Sequence, residues 1–314
     1  MSNRRAFLGA GAALAAVSSF PLPARSADTV RVLSAPVEIA IELDYGKLRN
    51  FDEQSGLAVD VQYLNNGSAT VAGILAGSAE VAVTTMITAI SAHQKKIPIS
   101  IIAAGALYTS KAPTTYLMVG KDATFQGARD FTGKIIGVDA LKNITQVAVA
   151  NWLDKNGGDS KSVHFVEMPF ADMSGALATK RIDAGYISEP FATRARSSDA
   201  KNFAPCYDSI ASSFLLGCWV AQNDWIAANP DIVRRFAAFV QKTAAYANAN
   251  HDATLPTLVR VSKIDPAVAA LMPRATFAER LNPALIKPVI DVGVKYDVVT
   301  PGLRPEELIA PIFR

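Results

Sequence analysis

A strand–turn–helix rhythm, run through twice, most constrains what this chain can fold into. Residues 30–34 read as a short strand, with Ala35-Pro36-Val37-Glu38 as the turn after it. Residues 39–55 carry apolar positions at helical spacing and stop at Ser55-Gly56. Residues 57–64 alternate as a half-buried strand does. Asn65-Asn66-Gly67-Ser68 then opens a helix over 69–76, and Val81-Ala82-Val83 makes a strand with Thr84-Thr85 as its polar stop. A helix over 86–94 and a strand over 99–104 complete the first unit. The rhythm restarts after residue 113, with strands at 115–119, 135–138, 164–168 and 183–187. Helices are expected from residue 145 to Asn156 and over 173–179. Such alternation specifies an α/β fold of mostly parallel sheets flanked by helices. The tail differs. One long helix is expected over 223–250, then shorter ones near 254–262, 265–271, 283–296 and 305–310, broken by prolines.

The other strong signal is at the start. Arg4-Arg5-Ala6-Phe7-Leu8 is followed by a small-residue apolar run to Phe20 and then by Pro21-Leu22-Pro23-Ala24-Arg25-Ser26. A charged start, a short apolar middle and a small-residue end make an export signal. The paired arginines point to the twin-arginine route, so residues 1–26 are expected to be removed and the chain to work in the periplasm as a soluble protein. The apolar run is shorter than the ~20 residues that span a bilayer.

The export signal also explains the charge. The chain carries +3 overall, and Arg4, Arg5 and Arg25 account for all of it, so the remainder is neutral. A neutral protein has no electrostatic footprint for nucleic acid. The 314 residues, half of them apolar, suit one large or two medium domains. Three histidines and two cysteines argue against a His/Cys metal site, and no cofactor is expected. Cys206 and Cys218 are read either as a disulfide, which an oxidising compartment permits, or as two buried thiols.

Several stretches, in order, resemble one family. They are Gly67-Ser68 to Gly77 with Ala79-Glu80-Val81-Ala82-Val83; Lys95-Lys96-Ile97-Pro98-Ile99; Asp130-Phe131-Thr132-Gly133-Lys134-Ile135-Ile136-Gly137-Val138; Arg181-Ile182-Asp183-Ala184 to Glu189-Pro190-Phe191; and Asn229-Pro230-Asp231. Through them the chain resembles the solute-binding proteins of bacterial ABC importers, in the branch handling sulfonates, taurine, nitrate and thiamine pyrimidine precursors. The resemblance implies a two-lobed periplasmic-binding-protein fold, with two or three strands crossing between lobes and ligand held in the cleft. Lobe one would comprise residues 28–112 plus 215–314, and lobe two residues 113–212. It also implies a monomer that hands a small-molecule solute to an ABC permease and its ATPase.

In open α/β sheets, ligands sit beyond the carboxyl ends of strands. That rule selects Ser34 and Pro36 after the first strand, Asn66, Gly67 and Ser68 after the second, and Thr84 and Thr85 after the third. In the second unit it selects Asn143 and Thr145, then Glu189 and Phe191. Ser, Thr and Asn at helix starts are also ordinary caps, worth ~1 kcal/mol each, so both readings stand. Family likeness points Glu189 into the cleft, and Tyr108 and Phe191 are candidate aromatic walls. Lys111 and Lys142 lie near the expected mouth, while His93, His164 and His251 lack ligand spacing. The loops are rich in Ser, Thr and Asn and poor in Arg, which suits a small organic anion or a heteroaromatic compound better than a dianion.

The leading functional expectation is solute capture by hinge closure, without catalysis. A ligand-sensing partner of a membrane receptor would use the same cleft. A thiamine-pyrimidine-synthase-like enzyme would share the fold but need a cysteine cluster, which Cys206 and Cys218 do not form. Neither a phosphate-binding Gly-x-x-x-x-Gly-Lys loop nor a Gly-x-Ser-x-Gly elbow occurs.

Overall fold

A computed structural model of the chain describes residues 27–64 and 67–314. The expected export signal and Asn66 lie outside the described residues.

The first lobe opens with β1 (Asp28–Ser34), followed by α1 (Glu42–Lys47), α2 (Phe51–Gln54) and β2 (Leu57–Tyr63). β1 and β2 pair in parallel along their whole length. The single helix expected over 39–55 is instead a 3-10 turn at Glu38–Ala40 and two short helices, with Asn50 left-handed at φ 54° between them. Its side chains serve two cores. Leu43 packs under the first sheet with Trp219 and Phe236, while Ile41 and Tyr45 join Phe277 and Met272. The chain continues through α3 (Gly67–Leu75), β3 (Val81–Thr85), α4 (Met86–Gln94) and β4 (Ile99–Ala104). Every residue of β4 is buried, as expected of a strand covered on both faces.

The chain then crosses on β5 (Ala106–Thr109) into β6 (Thr115–Gly120), β7 (Ile135–Val138), α5 (Ile144–Lys155), β8 (His164–Glu167), α6 (Phe170–Ala178), β9 (Ala184–Ser188), α7 (Phe191–Arg196) and β10 (Ala200–Ala204). It returns on β11 (Ser213–Leu215) and enters β12 (Gly217–Gln222). The remainder is α8 (Asn223–Ala228), α9 (Pro230–Ala249), α10 (His251–Ser262), α11 (Pro266–Ala269), the short β13 (Thr276–Phe277) and α12 (Pro283–Lys295). The long helix expected over 223–250 is split at Asn229-Pro230. Pro230 takes the first helical position of α9, where its missing N–H costs nothing.

The two main sheets share one plan. The first runs β2-β1-β3-β12-β4 and the second β8-β7-β9-β6-β10. In each, the fourth strand is the antiparallel one: β12 against β3 and β4, β6 against β9 and β10. Both are the strands entered directly after a crossing. The crossing strands β5 and β11 pair antiparallel with each other, and β13 adds to β5. The result is a two-lobed α/β fold whose parallel strands point their carboxyl ends at a shared cleft.

Candidate functional site

The cleft holds a small cavity of about 70 Å³. Sites for drug-sized ligands are typically ~300–1,000 Å³, so the lobes are drawn together. The first lobe contributes Ala35, Val37, Ile39 and Ala40 after β1, Gly67 at the start of α3, and Val83, Thr84 and Thr85 at the end of β3. The second contributes Thr115, Asp139, Thr145, Phe170, Ser188 and Tyr207. These are the strand ends and helix starts where the topology places a binding site.

Of the residues singled out in the sequence, Gly67, Thr84, Thr85 and Thr145 line this cavity. Gly67 has no room for a side chain: a Cβ would stand 2.9 Å from Thr84 Oγ1, which donates to the Gly67 carbonyl at 3.0 Å. Asn143 does not line it. Asn143 Oδ1 accepts from Ile144 N at 2.7 Å and from Thr85 Oγ1 at 2.8 Å, so it acts as a cap and as a bridge between the lobes. With Ser68, Thr88 and the exposed Lys142 it borders a more open groove of about 630 Å³.

The remaining candidates are placed elsewhere. Ser34 is fully buried, and its hydroxyl donates to the Ala40 carbonyl at 2.5 Å. Pro36 is not on the cavity wall, although Ala35 and Val37 on either side of it are. Phe191 stands behind Phe170, the two rings stacked at 6.5 Å. Tyr108 packs between Tyr207 and Phe214 and donates to Asp208 at 2.6 Å.

Glu189 faces the protein rather than the cleft. Its carboxylate is inaccessible, holds Arg196 at 2.6 Å and accepts from Thr193 N at 2.9 Å. Burial raises its pKa, against the pull of Arg196. An acid after an apolar strand and before a proline signals a cleft ligand and an internal ion pair equally well; Arg196, seven residues on, decides between them.

The cysteines are two separate buried thiols, so no disulfide forms. Burial pushes both thiols upward, away from a reactive thiolate, and neither lines the cavity. Among the described residues, no three His, Cys, Asp or Glu side chains group so as to hold a metal ion. Nor is any helix among them long and apolar enough to cross a membrane.

Five polar or aromatic cavity residues, Thr115, Asp139, Phe170, Ser188 and Tyr207, were missed in the sequence. Phe170 and Tyr207 come from segments without periodic signal. Asp139 directly follows the apolar strand β7, and that position was the available clue. It is half-buried, and Thr145 Oγ1 donates to its Oδ1 at 2.5 Å. Burial pushes its carboxyl up to about 6, with the Thr145 bond pulling the other way. Among the described residues it is the one formal charge on the wall of this cavity.

Residues 43–254 match the family described as NMT1/THI5 like. The chain belongs to the NMT1/THI5-like family. Similar solved structures agree with the fold of this family member. A ligand-binding component of an ABC-type import system from Staphylococcus aureus, with zinc bound, has 14% identity and a TM-score of 0.77, covering 91% of this chain and 98% of that one. The periplasmic aliphatic sulphonate binding protein SsuA from Escherichia coli has 14% identity and a TM-score of 0.72, covering 90% and 92%. The desulfurization enzyme DSZB has 16% identity and a TM-score of 0.66, covering 91% and 97%. The NMT1/THI5-like chain thus has the periplasmic-binding-protein fold. A comparison with curated proteins finds no match.

Proposed function

We propose that this chain is the extracytoplasmic solute-binding component of an ABC importer. It takes up a small organic solute between its lobes, closes over it, and presents the closed form to a membrane permease and its ATPase. The observation that supports this most is the cavity at the strand ends of both lobes, bridged by Thr85 and Asn143. Hinge closure around a ligand uses this kind of site. The names of the SsuA and Staphylococcus neighbours favour the same reading.

The fold also carries enzymes, as DSZB illustrates. Catalysis needs an activated nucleophile or a matched acid and base. The buried, upward-shifted thiols of Cys206 and Cys218 are unsuited to the first role. A receptor-sensing role would use the same cleft.

The test is a thermal-shift screen of the mature protein against sulfonates, taurine, nitrate, aromatic acids, pyrimidines and amino acids. A solute at ~100 times its dissociation constant adds ~2.7 kcal/mol, a rise of several degrees in Tm. A hit recovered unchanged after incubation supports capture; a hit converted to product overturns it. Periplasmic export by the twin-arginine route is part of the proposal. Changing Arg4 and Arg5 together to lysine should stop export, and unchanged export would assign the general secretory route.

A further inference from the structure

The cavity wall presents hydrogen-bond acceptors from both lobes. Four of its hydroxyl protons are committed inside the protein. Thr84 donates to the Gly67 carbonyl at 3.0 Å, Thr85 to Asn143 at 2.8 Å, Thr145 to Asp139 at 2.5 Å, and Thr115 to Ser188 at 3.2 Å. A hydroxyl that donates inward keeps its oxygen lone pairs for a ligand. Among the described residues no Lys, Arg or His lines the cavity, and their one charge on its wall is the Asp139 carboxylate.

We propose that Asp139 anchors a nitrogen-bearing solute, one presenting an ammonium, an amidinium or a ring-amino N–H group, and that it turns the cleft against simple anions. This rests on the solute-capture reading above. Thr145 and backbone N–H groups take part of the carboxylate's accepting capacity, and a carboxylate facing a largely apolar cavity is stabilised by a further partner. A cationic or N–H-bearing nitrogen supplies it through a charge-assisted bond. An anion would meet a like charge, which disfavours its binding. Thr145 fixes the carboxylate from the first turn of α5. Phe170 and Tyr207 add aromatic surface to the same wall, and ring faces attract cations.

Affinity for such a solute depends on Asp139 being ionised. Its carboxyl is pushed up to about 6 by burial, and Glu167 at the end of β8 pushes in the same direction. Tyr207 also faces Asp139, and its own phenol is raised by burial and by that carboxylate. Binding therefore weakens as pH falls through about 6.

The experiment uses matched probes with the mature protein: taurine with ethanesulfonate, 4-aminopyrimidine with pyrimidine, and benzamidine with benzoate. Calorimetry and thermal shift are run at pH 7.5 and 5. At least one aminated probe should bind at pH 7.5, its unaminated partner at least tenfold more weakly. Wild-type affinity for the aminated probe should drop at pH 5. Asp139→Asn should lose about tenfold or more, the loss expected for a hydrogen bond to a charged group. Should Asp139→Asn fail to fold, the wild-type pairs and their pH dependence decide. Tighter binding of ethanesulfonate or benzoate than of the aminated partners overturns the Asp139 assignment and leaves solute capture standing. No binding by any probe overturns the assignment, and capture is then judged by the wider screen.

Discussion

Thr85 Oγ1 donates a 2.8 Å hydrogen bond to Asn143 Oδ1 across the cleft. Each residue is also the N-cap of the helix it precedes, Thr85 accepting from Thr88 N at 3.3 Å and Asn143 from Ile144 N at 2.7 Å. The start of α4 in one lobe is thereby tied to the start of α5 in the other. Capping and closure share the same two side chains.

Thr85→Val removes the bridge and leaves Asn143 bonded to Ile144. A single hydrogen bond is worth ~1 kcal/mol net, so the ratio of closed to open molecules should fall about fivefold. Small-angle scattering of the unliganded variant should show a larger radius of gyration than the wild type. An unchanged radius would mean that other contacts hold the lobes, such as Tyr296 to Asp154 at 2.7 Å and Lys295 to Asn151 at 2.9 Å.

Gly46 lets α1 press against α9. A Cβ there would fall on Thr243 Oγ1 and within 2.6 Å of the Phe239 ring. Gly46→Ala should cost about 1–3 kcal/mol by overpacking, read from denaturant unfolding. Thr243→Ala removes the nearest obstruction, a hydroxyl that is itself buried without a hydrogen-bond partner. The double variant should recover part of the loss.

Glu42 is fully buried, with Trp219 Nε1 on Oε2 at 2.9 Å and no partner for Oε1. Burial pushes its carboxyl from 4.5 to about 8. The folded state keeps the proton that the unfolded state has released, so this contribution is complete below pH 4.5 and declines as pH rises to about 8. The Tm of the wild type should fall between pH 6 and 8. Glu42→Gln should flatten that part of the profile.

Glu189→Ala should destabilise the protein without changing solute affinity. It strands Arg196 after removal of its inaccessible partner. Breaking a buried pair costs ~3–5 kcal/mol, and the partial exposure of Arg196 puts the loss at the lower end. Denaturant unfolding and calorimetry on one preparation separate the two effects.

Cys206 and Cys218 should be unreactive to a thiol reagent in the native protein and both titrate after unfolding. Their replacement by alanine should leave export and solute binding intact. A native protein with no free thiol after unfolding would contradict the fold around β12.

Much of the α/β plan was legible because it rests on local pattern. The strands β4 and β7 and the helix α4 stand where apolar runs and turn residues put them. The return strand β12 was not legible. Its run Gly-Cys-Trp-Val-Ala-Gln has no alternation, since its first five residues are buried, and its antiparallel place between β3 and β4 is a long-range pairing. The site divides in the same way. Thr84, Thr85, Gly67 and Thr145 follow from the rule that ligands gather at strand ends. Glu189 obeyed that rule and is held by Arg196 instead, and Asp139 obeys it without standing among the candidates.

The sequence by itself determined the strand–helix order, the cap residues and the family, because these depend on neighbours along the chain and on side-chain period. Tertiary structure alone decided which polar groups meet across the cleft. Pairing Thr85 with Asn143 and setting Asp139 on the wall of a cavity shared with Thr84 and Gly67 depend on two lobes approaching each other. That approach is set by the β5 and β11 crossing strands, and no local pattern encodes its distances.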